Sequence, residues 1–160
     1  MKKIQIVLMM GSPSDLSTIQ EAADILKEFG VGYEMRVLSA HRTPRETDRY
    51  AEGLRSRGIK VVIAGAGGAA ALAGVVASHT LLPVVGVPVE TTALKGMDSL
   101  LSTVQMPPGV PVGCVAIGKP GAKNAALLAL RILGLSDKTI EKKLEKYREE
   151  QRQKILGGLS

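Results

Sequence analysis

Trp is absent from this 160-residue chain, and Phe occurs once and Tyr three times. A core without large rings must be filled by Val, Ile, Leu, Ala and Met packed around closely approaching backbones, and 18 glycines suit that demand. The near-absence of aromatics also weakens any nucleic-acid reading of the +6 net charge, because stacking platforms for bases are missing. Much of the positive excess lies between Lys138 and Lys154, mixed with glutamates, while Ile140, Leu144, Tyr147 and Ile155 recur at helical spacing. That pattern predicts a solvated amphipathic helix. Cys114 is the one cysteine, which excludes an intramolecular disulfide and a cysteine-based metal site. No apolar run approaches the roughly 20 residues of a membrane span, and the apolar stretch that follows Met1-Lys2-Lys3 stops at Gly11. It reads as a first strand rather than a leader, and the expected setting is cytoplasmic, with neither membrane nor nucleic acid as partner. Two histidines without a carboxylate cluster make a poor metal site, so none is expected.

What the chain does have is a repeating alternation of short apolar runs and helix-like segments. Strands are predicted at Ile4–Met10, Tyr33–Leu38, Val61–Ala66, Val84–Val87 and Val112–Ile117. Between them fall helices at Ser17–Phe29 closed by Gly30, Pro44–Arg57 closed by Gly58 and about Gly68 to Ala77, and Lys119–Leu133 follows the last strand as a further helix. A last helix covers about 136–156, with Ser136 as N-cap candidate. Near-continuously apolar strands joined through helices imply a parallel sheet covered on both faces. The expectation is a single α/β domain over 1–160, a flavodoxin-like three-layer sandwich with strand order 2-1-3-4-5 and a C-terminal helix. The Pro88 to Pro111 connection, with a short helix around Met97–Thr103, is long enough to be functional, or else a structural cover or subunit contact.

Open α/β sheets bind ligands beyond the carboxyl ends of their strands, where the strand order reverses. Three loops fall there. After strand 1, Gly11-Ser12-Pro13-Ser14-Asp15 offers hydroxyls and a helix start for phosphate oxygens, with Asp15 suited to a ribose diol. Alternatively, Ser14 or Asp15 simply caps the following helix. The loop has neither the lysine of a P-loop nor the spacing of a dinucleotide fingerprint. After strand 2, Ser39-Ala40-His41-Arg42-Thr43-Pro44 sets an imidazole that can exchange protons at neutral pH beside a guanidinium that can clamp an anion. A surface or structural role is the alternative for that histidine. After strand 3, Ala64-Gly65-Ala66-Gly67-Gly68-Ala69-Ala70-Ala71-Leu72 lets backbone approach a flat ligand and present amides to a carboxylate, or merely packs a helix closely on a strand. His79, near the end of the third helix, fits an ordinary C-terminal position. A Ser/His/Asp hydrolase is not indicated, since no Gly-x-Ser-x-Gly elbow is present.

These blocks, together with Leu82–Pro88, Asp98–Ser102, Val104-Gln105-Met106-Pro107 and Gly121–Ala126, closely resemble the catalytic-subunit family of phosphoribosylaminoimidazole carboxylase, in its N5-carboxyaminoimidazole ribonucleotide mutase branch. The resemblance implies a flavodoxin-like subunit of a homo-octamer that needs no cofactor or metal. Its reaction moves a carboxylate from the exocyclic nitrogen of a small ribonucleotide to ring carbon 4, in de novo purine synthesis. By position it implies that Ser12, Asp15 and Arg42 bind the ribonucleotide, that Ser14 and Ser39 serve its phosphate end, and that His41 is the acid/base. Ala66, Gly67, Gly68, Ala71 and Leu72 would line the carboxylate pocket. One departure stands out: the family's Ala-Ala-His-Leu-Pro-Gly is here Ala69-Ala70-Ala71-Leu72-Ala73-Gly74, so a second histidine is replaced by Ala71 and a proline by Ala73. The departure keeps two other readings in play, a carboxylase that takes free carbon dioxide and a nucleotide-binding paralogue without catalysis.

Overall fold

A computed structural model of the chain describes residues 3–158. Residues 1–2 and 159–160 of the expected 1–160 domain lie outside the described residues. Five parallel strands, β1 (Ile4–Met10), β2 (Gly32–Val37), β3 (Val61–Gly67), β4 (Val84–Val89) and β5 (Gly113–Cys114), form one sheet in the order β2-β1-β3-β4-β5. The helices are α1 (Leu16–Phe29), α2 (Pro44–Gly53), α3 (Leu72–His79), α4 (Met97–Val104), α5 (Gly118–Gly134) and α6 (Lys138–Gly157). Fold class and strand order match the expectation.

Alternation along β1 shows how the sandwich is made. Ile6, Leu8 and Met10 enter one apolar cluster with α1 and α5, whereas Val7 and Met9 enter another with α2 and α3. All five side chains are 0–1% exposed, so β1 is covered on both faces, as a central parallel strand must be. Where an aromatic would fill space in another protein, this one brings helices close. Ala122, Ala125, Ala126 and Ala129 of α5 are all fully buried against the sheet. On the opposite face, Thr103 of α4 and Ala73 of α3 crowd Gly86 of β4, leaving no room for a side chain there.

Several boundaries differ from the sequence reading, each for a local reason. β5 has two residues rather than the run Val112–Ile117: it is an edge strand with a single neighbour, pairing only Val85–Gly113 and Gly86–Cys114. The predicted helix to Arg57 ends at Gly53, where the chain turns through Gly58 at φ +83°. The predicted cap Ser136 instead closes α5, its hydroxyl donating to the Leu133 carbonyl at 3.4 Å. Asp137 caps α6, accepting from the Thr139 and Ile140 amides at 2.9 and 3.3 Å. Within α6 the apolar stripe is covered only over its first half. Ile140 is buried and Tyr147 meets Phe29 at a ring-centroid distance of 5.7 Å, but Ile155 is 74% exposed.

A candidate active site at the strand switch

The sheet reverses its order between β1 and β3, and the loops leaving β1, β2, β3 and β4 enclose a cleft of about 510 Å³ at their carboxyl ends. Ser12, Ser14, Asp15, Ser39, His41, Arg42, Ala66, Gly67, Gly68, Ala71 and Leu72 all line it. Gly11, Ala40 and Ala70 of the same three loops line it as well, and so do Val89, Glu90 and Thr91, which lie outside them. The strand-end rule that singled out the first three loops applies equally to β4, so Val89-Glu90-Thr91 was findable from the sequence.

Loop 1 is built as a capped turn. Pro13–Asp15 forms one 3-10 turn whose N-cap is Ser12, and the Ser12 hydroxyl accepts from the Ser14 amide at 3.4 Å. The Asp15 carboxylate accepts in return from the Ser12 amide at 3.1 Å, completing a capping box. The Ser14 hydroxyl donates to that of Ser12 at 2.9 Å. Capping in this loop thus falls to Ser12 and not to Ser14, while Asp15 holds the N-cap position of α1 without a side-chain cap bond to that helix, and all three residues line the cleft. Asp15 is 7% exposed; burial pushes its carboxyl above the ordinary value, against the opposing pull of the Ser12 amide, Ser14 and Arg42.

Loop 2 is locked by Thr43. Its hydroxyl accepts from the Ser39 amide at 2.9 Å and donates to the Ser39 carbonyl at 3.0 Å, pinching the ends of the His41 turn together. The Ser39 hydroxyl accepts from both the amide and Nε of Arg42, at 3.2 and 3.3 Å. Arg42 Nη2 reaches across to the Gly11 carbonyl at 3.0 Å and so joins loop 2 to loop 1. His41 is exposed on the cleft wall, with its side chain free of hydrogen-bond partners among the described residues.

Loop 3 corrects the helix expected from Gly68. Gly67 to Ala70 form a turn instead, closed by the Ala70 amide on the Gly67 carbonyl at 3.2 Å, and α3 begins only at Leu72. Gly68 has φ +64°, a left-handed conformation that favours glycine, and Ala70 follows at +36°. Ala71 is the N-cap of α3, without a capping side chain. Leu72 reaches the cleft but is 1% exposed, its side chain forming part of the core beneath. The wall that β3 contributes is thus backbone and methyl groups. His79 sits at the far end of α3, between Asp48 Oδ1 at 3.3 Å and Glu52 Oε1 at 3.4 Å on α2, and does not enter the cleft. Among the described residues no group of three or more His, Cys, Asp or Glu side chains is placed to hold a metal ion.

The family profile described as AIR carboxylase matches residues 5–154. The chain belongs to the AIR carboxylase family. Among its relatives, the N5-carboxyaminoimidazole ribonucleotide mutase of Vibrio parahaemolyticus is 56% identical over 155 residues, covering 97% of this chain and 96% of the relative. The mutase of the same name from Bacillus subtilis is 57% identical over 149 residues, covering 93% and 92%. A solved structure of a variant of Treponema denticola PurE2 superposes with a TM-score of 0.88 at 31% identity, covering 99% of this chain and 96% of that one. Treponema denticola PurE gives 0.85 at 33% identity, covering 96% and 94%.

Proposed function

We propose that this member of the AIR carboxylase family converts N5-carboxyaminoimidazole ribonucleotide to 4-carboxyaminoimidazole ribonucleotide, with His41 as the proton carrier. The observation that carries the reading is the cleft itself: a grip of hydroxyls, Asp15 and Arg42 on one side, His41 at its edge, and a wall of backbone and methyl groups at Ala66, Gly67, Gly68 and Ala71. Arg42 and the Ser12, Ser14 and Ser39 hydroxyls suit a phosphate, and Asp15 suits the ribose diol.

The chemistry then needs few groups. The His41 imidazolium gives a proton to the carbamate nitrogen, the N–C bond breaks, and carbon dioxide is released against the Gly67-Gly68 backbone. Ring carbon 4 attacks it, a C–C bond forms, and neutral His41 takes the proton that carbon 4 loses. One proton leaves His41 and one returns, so a single histidine closes the cycle without a partner at Ala71. Such a base contributes roughly 10² to 10⁴-fold.

The same proposal includes action as a single domain over 1–160, without cofactor, as a homo-octamer in the cytoplasm. Support for assembly comes from α4, where Met97, Leu101 and Val104 are 53%, 51% and 48% exposed along one helical face, joined by Leu94 at 59%. The deciding assay gives purified protein the carbamate ribonucleotide without bicarbonate and follows the 4-carboxylated product. Conversion is expected. Conversion only from aminoimidazole ribonucleotide plus bicarbonate would make the enzyme a carboxylase, and binding without either conversion would refute catalysis.

A further inference from the structure

Glu90 follows the last ladder pair of β4, Gly67–Val89, so the sheet sets it level with Gly68 at the mouth of the cleft. Its backbone is held on both sides. The Ser99 hydroxyl donates to the Val89 carbonyl at 2.6 Å, the Thr91 hydroxyl donates to the Asp98 carboxylate at 3.0 Å, and the Lys95 amide donates to the Thr91 carbonyl at 3.0 Å. The Glu90 side chain, in contrast, makes no hydrogen bond or ion pair among the described residues. The two other charged groups of loops 1 and 2 are engaged: Asp15 by the Ser12 amide, Arg42 by Gly11 and Ser39. An unpaired carboxylate on a rigid backbone is costly at the mouth of a site for a doubly anionic ligand, unless positive charge develops beside it.

The proposed reaction supplies such a charge. Ring carbon 4 is the nucleophile of an enamine. As the ring C=C electron pair moves from carbon 4 to carbon dioxide, the lone pair of the exocyclic nitrogen moves into its own bond to the adjacent ring carbon, and that nitrogen becomes positively charged while keeping both its protons. Strand order places β2 and β4 three strand spacings apart, roughly 14 Å at the backbone, and His41 and Glu90, on the loops that leave them, both line the cleft. We propose that Glu90 is a second catalytic residue, accepting a hydrogen bond from the exocyclic nitrogen and stabilising its charge between attack on carbon dioxide and removal of the carbon 4 proton by His41. The carboxylate is unchanged at the end, since the C–H electron pair restores the ring. The inference rests on the proposed function and deepens it: β4 supplies charge stabilisation that loop 3, with Ala71, has no side chain to give.

The test compares the full-length protein with Glu90→Gln, Glu90→Ala and Glu90→Asp, using the carbamate ribonucleotide and measuring kcat, KM and Tm. Gln and Ala are expected to lower kcat about 10²-fold, the size of loss seen when one preset electrostatic group is removed. KM should stay within about threefold, Asp should recover part of the rate, and Tm should not move because the side chain is exposed. Wild-type kcat in Glu90→Gln overturns the inference, as do equal losses in Asp and Gln or a change confined to KM. A wild-type protein that fails to convert the carbamate ribonucleotide overturns the proposed function first, and Glu90's role with it.

Discussion

Asp15→Asn separates the binding role of the first loop from its capping role, because the two predict opposite signs. The carboxyl is 7% exposed and burial raises its pKa above the ordinary 3.8 in the folded state. The folded protein therefore holds this proton more tightly than the unfolded chain does. Stability contributed by Asp15 is lost as pH rises from 3.8 through the raised folded value, and the loss is complete above it. Asn carries no charge to bury and can still accept from the Ser12 amide, a bond worth about 1 kcal/mol net. Wild type and variant should thus unfold at similar temperatures below pH 3.8. The variant should match or exceed wild type at pH 7, with a gap of about 2–4 °C for each kcal/mol relieved. Ribonucleotide binding moves the other way: exchanging a charged acceptor for a neutral one toward a ribose hydroxyl forfeits about 1–1.5 kcal/mol, roughly 5- to 12-fold in Kd. Thermal unfolding from pH 3 to 8 and calorimetric titration with aminoimidazole ribonucleotide read both effects. A parallel fall in Tm and affinity at pH 7 would reduce Asp15 to a cap, and unchanged affinity would remove it from the binding site.

His41→Asn should lower kcat by about 10² to 10⁴-fold while ribonucleotide affinity changes little, checked by turnover and by calorimetry on the same sample. Gly68→Ala meets open space at its new Cβ but is forced to φ +64°, so about 1–2 kcal/mol of stability, or about 2–8 °C in Tm, should be lost without a packing defect. Leu101→Glu on the exposed face of α4 should leave the subunit folded and reduce its mass in light scattering. An unchanged mass would move the assembly contact away from α4.

The parallel sheet covered by helices was legible because β-rich apolar runs alternate with amphipathic helices, and the three loops were legible because the fold rule points to strand ends. The carboxyl end of β4 was not. The apolar run Val84–Val87 predicts a strand that stops before Pro88, whereas Pro88 lies inside β4, pairs with Ala66, and carries the strand on to Val89. That shift hid Glu90. Loop 3 misled through composition: Gly68–Ala71 is rich in alanine and reads as helix, yet the chain needs left-handed φ values at Gly68 and Ala70 to turn from β3 into α3. The functional reading of Ala71 came from the family pattern alone, because an alanine bears no chemical mark of what it replaces. The tie between Arg42 and Gly11 joins residues 31 apart, and no spacing in the sequence announces it.

That tie has a thermodynamic consequence for recognition. An arginine swinging freely in solvent must give up its rotamers when it clamps an anion, at about 0.5–1.5 kcal/mol for each side chain immobilised. Arg42 is exposed, yet its guanidinium is already fixed between the Gly11 carbonyl and the Ser39 hydroxyl before any ligand arrives. Folding has done the ordering in advance, so a phosphate meets a clamp with its direction set, and association keeps entropy that a mobile arginine would have surrendered.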